Sequence, residues 1–227
     1  MTKAPAPSHA LGHRARLRAR LNNGNVLEDY ELLELILFAA HPRGDTKPLA
    51  KALLKHCGGY AAVLRAEPAT LMQVDGIGEA AVAAIKGVEA AALRLLEKDL
   101  REQPVLRNWQ AVEAFCRARI GHNSIESLWI LYLNSKNKLI KAVEEQRGTI
   151  NQTPGYPREI ARHALHNAAS AVIMVHNHPS GDTTPSPEDI TFTRAVRTAL
   201  ETVGVALLDH VIVSRSEALS FKNNGLL

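Results

Sequence analysis

Residues 175–190 read VHNHPSGDTTPSPEDI. The apolar run AVIMV, residues 171–175, leads into them and reads as a buried strand. At the end of a strand, residues two apart face the same side, so His176 and His178 present neighbouring imidazoles. Pro179, Gly181 and Pro185 turn the chain. Ser186-Pro187-Glu188-Asp189 then opens a helix, with Ser186 at the cap and Pro187 at the first helical position. Asp189 falls in the first turn, where the returning loop can bring its carboxylate to the two imidazoles. Two His and one Asp suit a first-row metal and leave a fourth position for water, as catalytic rather than structural zinc does. Taken singly, each piece has an ordinary reading. A His-x-His pair is common, and an Asp in a first helical turn simply favours the helix dipole.

Around this stretch, strands and helices alternate. WQAVEAFCRARI (109–120) reads as a helix. SLWILYLNSKNKLIKAVEEQRGTI (127–150) reads as two strands joined at the polar cluster Asn134-Ser135-Lys136-Asn137. PREIARHALHNAA is a helix opening at Pro157, SPEDITFTRAVRTALETVG a helix ended by Gly204, and VALLDHVIVS a further strand. This mixture predicts an α/β or α+β domain over residues 108–227.

The first half has a different texture. From Arg14 to Leu100 the apolar spacing is helical. EDYELLELILFAA, TKPLAKALLKHCGG (Thr46 as cap, Gly58-Gly59 as stop) and GYAAVLRAEP are three helices, and a long Ala/Leu helix runs to about Glu102. Residues 14–100 are therefore expected to form an all-helical domain. Residues 1–13 are expected to be a disordered tail. Residues 101–107, charged and carrying Pro104, are expected to be a linker.

Before the long helix comes LMQVDGIGEAAVAAI, residues 71–85. Gly76-Ile77-Gly78 makes a tight turn, Ile77 can tuck between two helices, and the next helix begins with free N–H groups able to hold a phosphate. The segment resembles the helix-hairpin-helix of DNA-binding proteins. The resemblance places sequence-independent phosphate contacts on Gly76, Gly78 and Lys86. Asp75 and Glu79 flank the turn with negative charge.

Composition narrows the class. The 227 residues carry a net charge of +4 and a pI of about 9.2, which suits contact with nucleic acid without requiring it. Cys57 and Cys116 are too few for a disulfide scaffold and lack metal-site spacing. No apolar run is long enough to span a bilayer, and the polar, basic N-terminus has no signal-peptide core, so a cytoplasmic protein is expected. A zinc deaminase is excluded, because its His-x-Glu and Pro-Cys-x-x-Cys are absent.

The joint pattern of two His spaced by one, seven residues, a Ser, two residues and an Asp matches the JAMM (MPN+) metallohydrolase signature. HNHPSGDTTPSPEDI, YPREIARHAL and LLDHVIV, with the GIG hairpin upstream, resemble the RadC family over nearly the whole chain. The resemblance implies a three-layer α-β-α domain with a mostly antiparallel central sheet. It implies zinc on His176, His178 and Asp189, and Ser186 as a donor to the tetrahedral intermediate. It also implies an upstream glutamate as base, with Glu144 and Glu145 the candidates and Glu144 preferred. The implied reaction is hydrolysis of a peptide or isopeptide bond in an unknown peptide or protein substrate, with a possible DNA-associated role. The alternative is a DNA repair or recombination factor whose zinc site is structural or vestigial. His210, in LLDHVIV, is either a support to a metal ligand or an ordinary strand histidine.

Overall fold

The computed structural model describes residues 9–148 and 157–227. The chain divides into two compact units, Met1–Ala92 and Leu93–Leu227.

The first unit is helical. It contains α1 (His9–Asn22), α2 (Asp29–Leu37), α3 (Lys47–Cys57), α4 (Tyr60–Arg65), α5 (Pro68–Leu71) and the start of α6 (Glu79–Glu102). Leu33, Leu37, Ala50, Leu53, Val63, Leu71 and Ile85 make its core from the buried sides of its helices, and Ile77 joins them from the turn before α6. Thr46 precedes α3 but makes no capping bond. Its hydroxyl instead donates to the buried Glu34 carboxylate at 3.4 Å. The expected tail falls on residues 1–8, outside the described residues, and on the first residues of α1, which is helical from His9.

The second unit begins inside α6. The expected linker at residues 101–107 lies within this unit, mostly exposed but anchored in the core at Val105. Leu100 and Val105 are each 1% exposed, the latter in a 3-10 turn over Val105–Arg107. The boundary between the two units falls at Ala92/Leu93, ahead of the charged residues that suggested a linker.

Five strands follow, with α7 (Trp109–Ile120) before them. β1 (Ser127–Leu133) and β2 (Leu139–Arg147) form a hairpin whose turn is closed by Asn134, its side chain accepting from the amides of Lys136 and Lys138. The further extension expected through Ile150 lies outside the described residues. Then come α8 (Pro157–His166), β3 (Ala171–Asn177), α9 (Pro187–Thr202), β4 (Ala206–Val213) and a short β5 (Ala218–Ser220) not anticipated from sequence. The strand order is β2-β1-β3-β4-β5, antiparallel except for β3 beside β4.

Period-two alternation sorts the sheet into two faces. Leu131, Leu133, Ile173, Val175, Val211 and Val213 pack against α7 with Val112, Phe115 and Ile120. Leu128, Ile130, Tyr132, Val172 and Met174 pack against α8 and α9 through Ile160, Ala164, Val196 and Leu200. The result is the expected three-layer α-β-α arrangement with a mostly antiparallel sheet. Among the described residues, no helix is long and apolar enough to cross a membrane.

Candidate metal centre

β3 continues the alternation of Val172 and Met174, so His176 emerges on the α8/α9 face, where α9 begins. Its Nε2 lies 2.8 Å from His178 Nε2 and 3.3 Å from Asp189 Oδ1, and His178 Nε2 lies 3.5 Å from Asp189 Oδ2. Glu126, just before β1, completes the group. One ligand atom from each of Glu126, His176, His178 and Asp189 lies within 4.8 Å of every other.

The helix start holds Asp189. Ser186 caps α9, and its Oγ accepts from the Asp189 amide at 3.1 Å. In return, the Ser186 amide and hydroxyl both donate to Asp189 Oδ2, at 2.8 and 2.7 Å. This capping box fixes the helix end and aims a carboxylate with the same bonds. The turning loop holds His178. Its Nδ1 donates to the Asp182 carbonyl at 2.7 Å, which leaves Nε2 facing the group.

These donors fit a metal ion. Two facing Nε2 atoms at 2.8 Å repel through their lone pairs unless a proton or a cation lies between them. Bond lengths of about 2.0–2.1 Å around a tetrahedral zinc separate its ligand atoms by about 3.3 Å. The observed 2.8, 3.3 and 3.5 Å bracket that value. Nitrogen and carboxylate oxygen are the donor types zinc takes.

Charge is poised in the same sense. Burial pushes the His176 imidazole down to about 4, against the pull of Asp189. His176 is thus a neutral base at physiological pH, as a ligand must be. Burial acts to raise Asp189, but bonds from His178 and Ser186 and the neighbouring His176 hold it well below the ordinary carboxylate range. Hydrogen bonding to Asp189 raises His178 above its ordinary value. Burial raises the Glu126 carboxyl, with His178 opposing and Asp189 adding to the rise.

A proton on His178 Nε2 therefore occupies the place a metal would take. Metal affinity is expected to fall as pH is lowered from about 8 to about 6, with proton release on binding. Titration calorimetry in buffers of different ionisation enthalpy checks this. A constant affinity with no proton release over that range contradicts it.

The structure brings together His176, His178, Asp189 and Ser186 from the sequence-derived set, but not Glu144. Glu144 pairs opposite Trp129 and is exposed. Trp129 packs on the α7 face, so the pleat puts Glu144 on the side of the sheet away from His176. Glu145 falls at a bulge in the hairpin and is engaged elsewhere, accepting from Tyr132 Oη and from His163 Nδ1, both at 2.7 Å. Glu126 escaped the sequence reading although a signal was there. It stands two residues before Leu128, in the alternating series Leu128, Ile130, Tyr132 that shares the His176 face.

In the first unit, Gly76 has a left-handed φ of 88°, which a side chain would strain, and Ile77 is buried in the core. The helix before the turn, α5, is only four residues long. Lys86 does not project from the surface toward a ligand. Its Nζ donates to the carbonyls of Leu64 and Ala66 at 3.2 and 3.3 Å and pairs with Glu89, which ties the end of α4 to α6. Among the arginines of α1, Arg14 is buried against the Phe38 ring and donates to the Gly44 carbonyl, and Arg20 pairs with Glu31.

Comparison with known proteins agrees with this geometry. The family model described as RadC-like JAB domain matches residues 106–226. A UPF0758 protein of Rhodobacter capsulatus is 48% identical over 213 residues, 93% of this chain and all of that protein. A UPF0758 protein of Ruegeria pomeroyi is 44% identical over 223 residues, 97% of this chain and all of that protein. The second unit, built around His176, His178 and Asp189, is thus a RadC-like JAB domain, and the chain belongs to the RadC family.

Proposed function

We propose that this protein is a zinc-dependent hydrolase of amide or isopeptide bonds. The observation that carries this reading is the convergence of Glu126, His176, His178 and Asp189 at the junction of β3, α9 and the start of β1. When bound, the zinc supplies Lewis-acid activation of water and substrate. The chain supplies the rest. His176, His178 and Asp189 hold the ion, and the α9 cap and the Asp182 carbonyl orient two of them.

Glu126, not Glu144, serves as general base. It takes a proton from the attacking water and returns it to the leaving amine. Burial of its half-buried carboxyl raises it from the ordinary carboxylate value, so it takes up a proton more readily than a solvated glutamate does. Ser186 keeps hold of Asp189 through its amide N–H, while its hydroxyl proton turns from Asp189 Oδ2 to the oxygen on which negative charge develops.

Purified protein is expected to hold about one zinc per chain, as a site with three protein ligands does. Elemental analysis checks this, together with amine release from a panel of linear and isopeptide-linked peptides. Retention of stoichiometric zinc in the double variant His176→Ala, His178→Ala overturns the reading.

DNA contact is a separate proposal, carried by the exposed turn at Gly76 and Gly78. Nothing lies within 4 Å of the space a Gly78 side chain would fill, so a phosphate can approach the first amides of α6. Lys86 takes no part in this version, because its ammonium is engaged within the unit. Salt-dependent retardation of DNA supports the proposal, and absence of binding at low salt refutes it.

A further inference from the structure

We propose that His210 and Thr193 are positioning residues that set the tautomer of His176, so that its Nε2 is bare and faces the metal group before any ion arrives. The inference deepens the metal reading and rests on it for its consequence, though not for its geometry.

The Asp189 carbonyl oxygen can only accept a hydrogen bond. Thr193 lies one turn along α9 from Asp189, and its Oγ1 sits 2.6 Å from the Asp189 carbonyl oxygen. A hydroxyl has one proton, and the carbonyl offers none, so Thr193 donates there. Its oxygen is then left as an acceptor toward His210 Nδ1, 2.6 Å away. His210 Nδ1 must therefore carry hydrogen.

His210 is 1% exposed, and among the described residues its side chain's hydrogen-bond partners are His176 and Thr193, neither a carboxylate. In such surroundings the imidazole is neutral, and a neutral imidazole with hydrogen on Nδ1 has a bare Nε2. That Nε2 faces His176 Nδ1 at 2.7 Å. For this contact to be a hydrogen bond, His176 Nδ1 must donate. His176 is then bare at Nε2, the atom 3.3 Å from Asp189 Oδ1 and 2.8 Å from His178 Nε2.

Every direction in the chain follows from the one before it. The relay also closes on a single residue. Asp189 contributes its carboxylate at one end and its carbonyl at the other, linking β3, β4 and α9. The Phe221 ring lies against His210, with centroids 4.4 Å apart, and limits rotation of its ring.

The arrangement has a chemical consequence. An imidazole in the other tautomer carries hydrogen on Nε2 and cannot bind an ion there without first exchanging it. Removing the Thr193 hydroxyl frees His210 to carry hydrogen on Nε2 instead. It then donates to His176 Nδ1, and His176 moves to the non-binding form.

The test uses the full chain as wild type, Thr193→Val and Thr193→Ser. Long-range 1H–15N imidazole spectra of the metal-free proteins report the tautomers, and chelator competition reports zinc affinity. Wild type and Thr193→Ser are expected to show His176 and His210 both carrying hydrogen on Nδ1, and to bind zinc alike. Thr193→Val is expected to show His176 shifted toward hydrogen on Nε2 and a loss of about 10-fold in zinc affinity, in the range for lost support of a ligand.

A wild-type His176 carrying hydrogen on Nε2 overturns the inference. So does a Thr193→Val protein whose His176 spectrum matches wild type. A wild-type chain that binds no zinc defeats the metal reading instead, and the metal-free spectra still decide the tautomer.

Discussion

Glu126→Gln is expected to keep its zinc and to lose hydrolytic turnover by about 10²–10⁴-fold, the range for a positioned general base. Glutamine preserves the shape and hydrogen-bonding reach of the side chain but cannot hold a proton in transit. His176, His178 and Asp189 remain to hold the ion. Glu144→Gln provides the contrast. Glu144 is exposed on the opposite face of the sheet and is expected to change turnover by less than about twofold. The measurement is amine release from whichever peptide the wild type cleaves, alongside zinc content for all three proteins. If Glu126→Gln retains full turnover, or if Glu144→Gln is the variant that fails, the assignment of the base is wrong. If Glu126→Gln loses its zinc as well, Glu126 is a ligand rather than a base.

That contrast shows how far the sequence could be read. His176, His178 and Asp189 were legible because their spacing is enforced locally. A strand end pairs residues two apart, and Ser186-Pro187 fixes where the next helix starts. The mixed α/β texture and both turns of the β1/β2 and β3/α9 regions were legible for the same reason. The base was not, because its place depends on which strand lies beside β3. Glu126 comes to His176 only because β1 pairs antiparallel with β3, with Leu128 opposite His176. No local pattern states that pairing. Glu144 and Glu145 looked better as glutamates near a turn, yet a bulge between Leu128/Trp129 and their partners sends one to solvent and the other to Tyr132 and His163. The unit boundary was not legible for a related reason. Charge signals exposure correctly at residues 101–103, but Leu100 and Val105 on either side are buried in the core of the second unit, and no local pattern states that packing.

Asn177→Ala is expected to lower stability by about 2–4 kcal/mol, and to reduce turnover more than it reduces zinc content. Asn177 sits between the two histidines, so the pleat points it to the other side of the sheet. There its side chain, 0% exposed, uses every bond it has. Oδ1 accepts from the Ser127 amide and hydroxyl at 2.9 and 2.8 Å. Nδ2 donates to the carbonyls of Asn123 and Ile125 at 3.3 and 3.2 Å. The segment so anchored, between α7 and β1, is the one that carries Glu126. Its start is equally constrained, because a Cβ on Gly121 would lie 2.6 Å from the Ser214 carbonyl oxygen. Loss of the Asn177 side chain leaves buried groups of this segment unpaired and lets Glu126 drift, while the three metal ligands stay on β3, its following loop and α9. At about 2–4 °C per kcal/mol, the melting temperature should fall by roughly 5–15 °C. Asn177→Asp adds a pH signature. A buried carboxyl facing two carbonyl oxygens has its folded pKa raised above about 3.9, so the folded state holds the extra proton and stability falls as pH rises past that value. Thermal melts of both variants from about pH 4 to pH 8, with zinc content and turnover at neutral pH, decide the matter. A wild-type melting temperature in Asn177→Ala, or equal losses of zinc and turnover, removes the anchoring role.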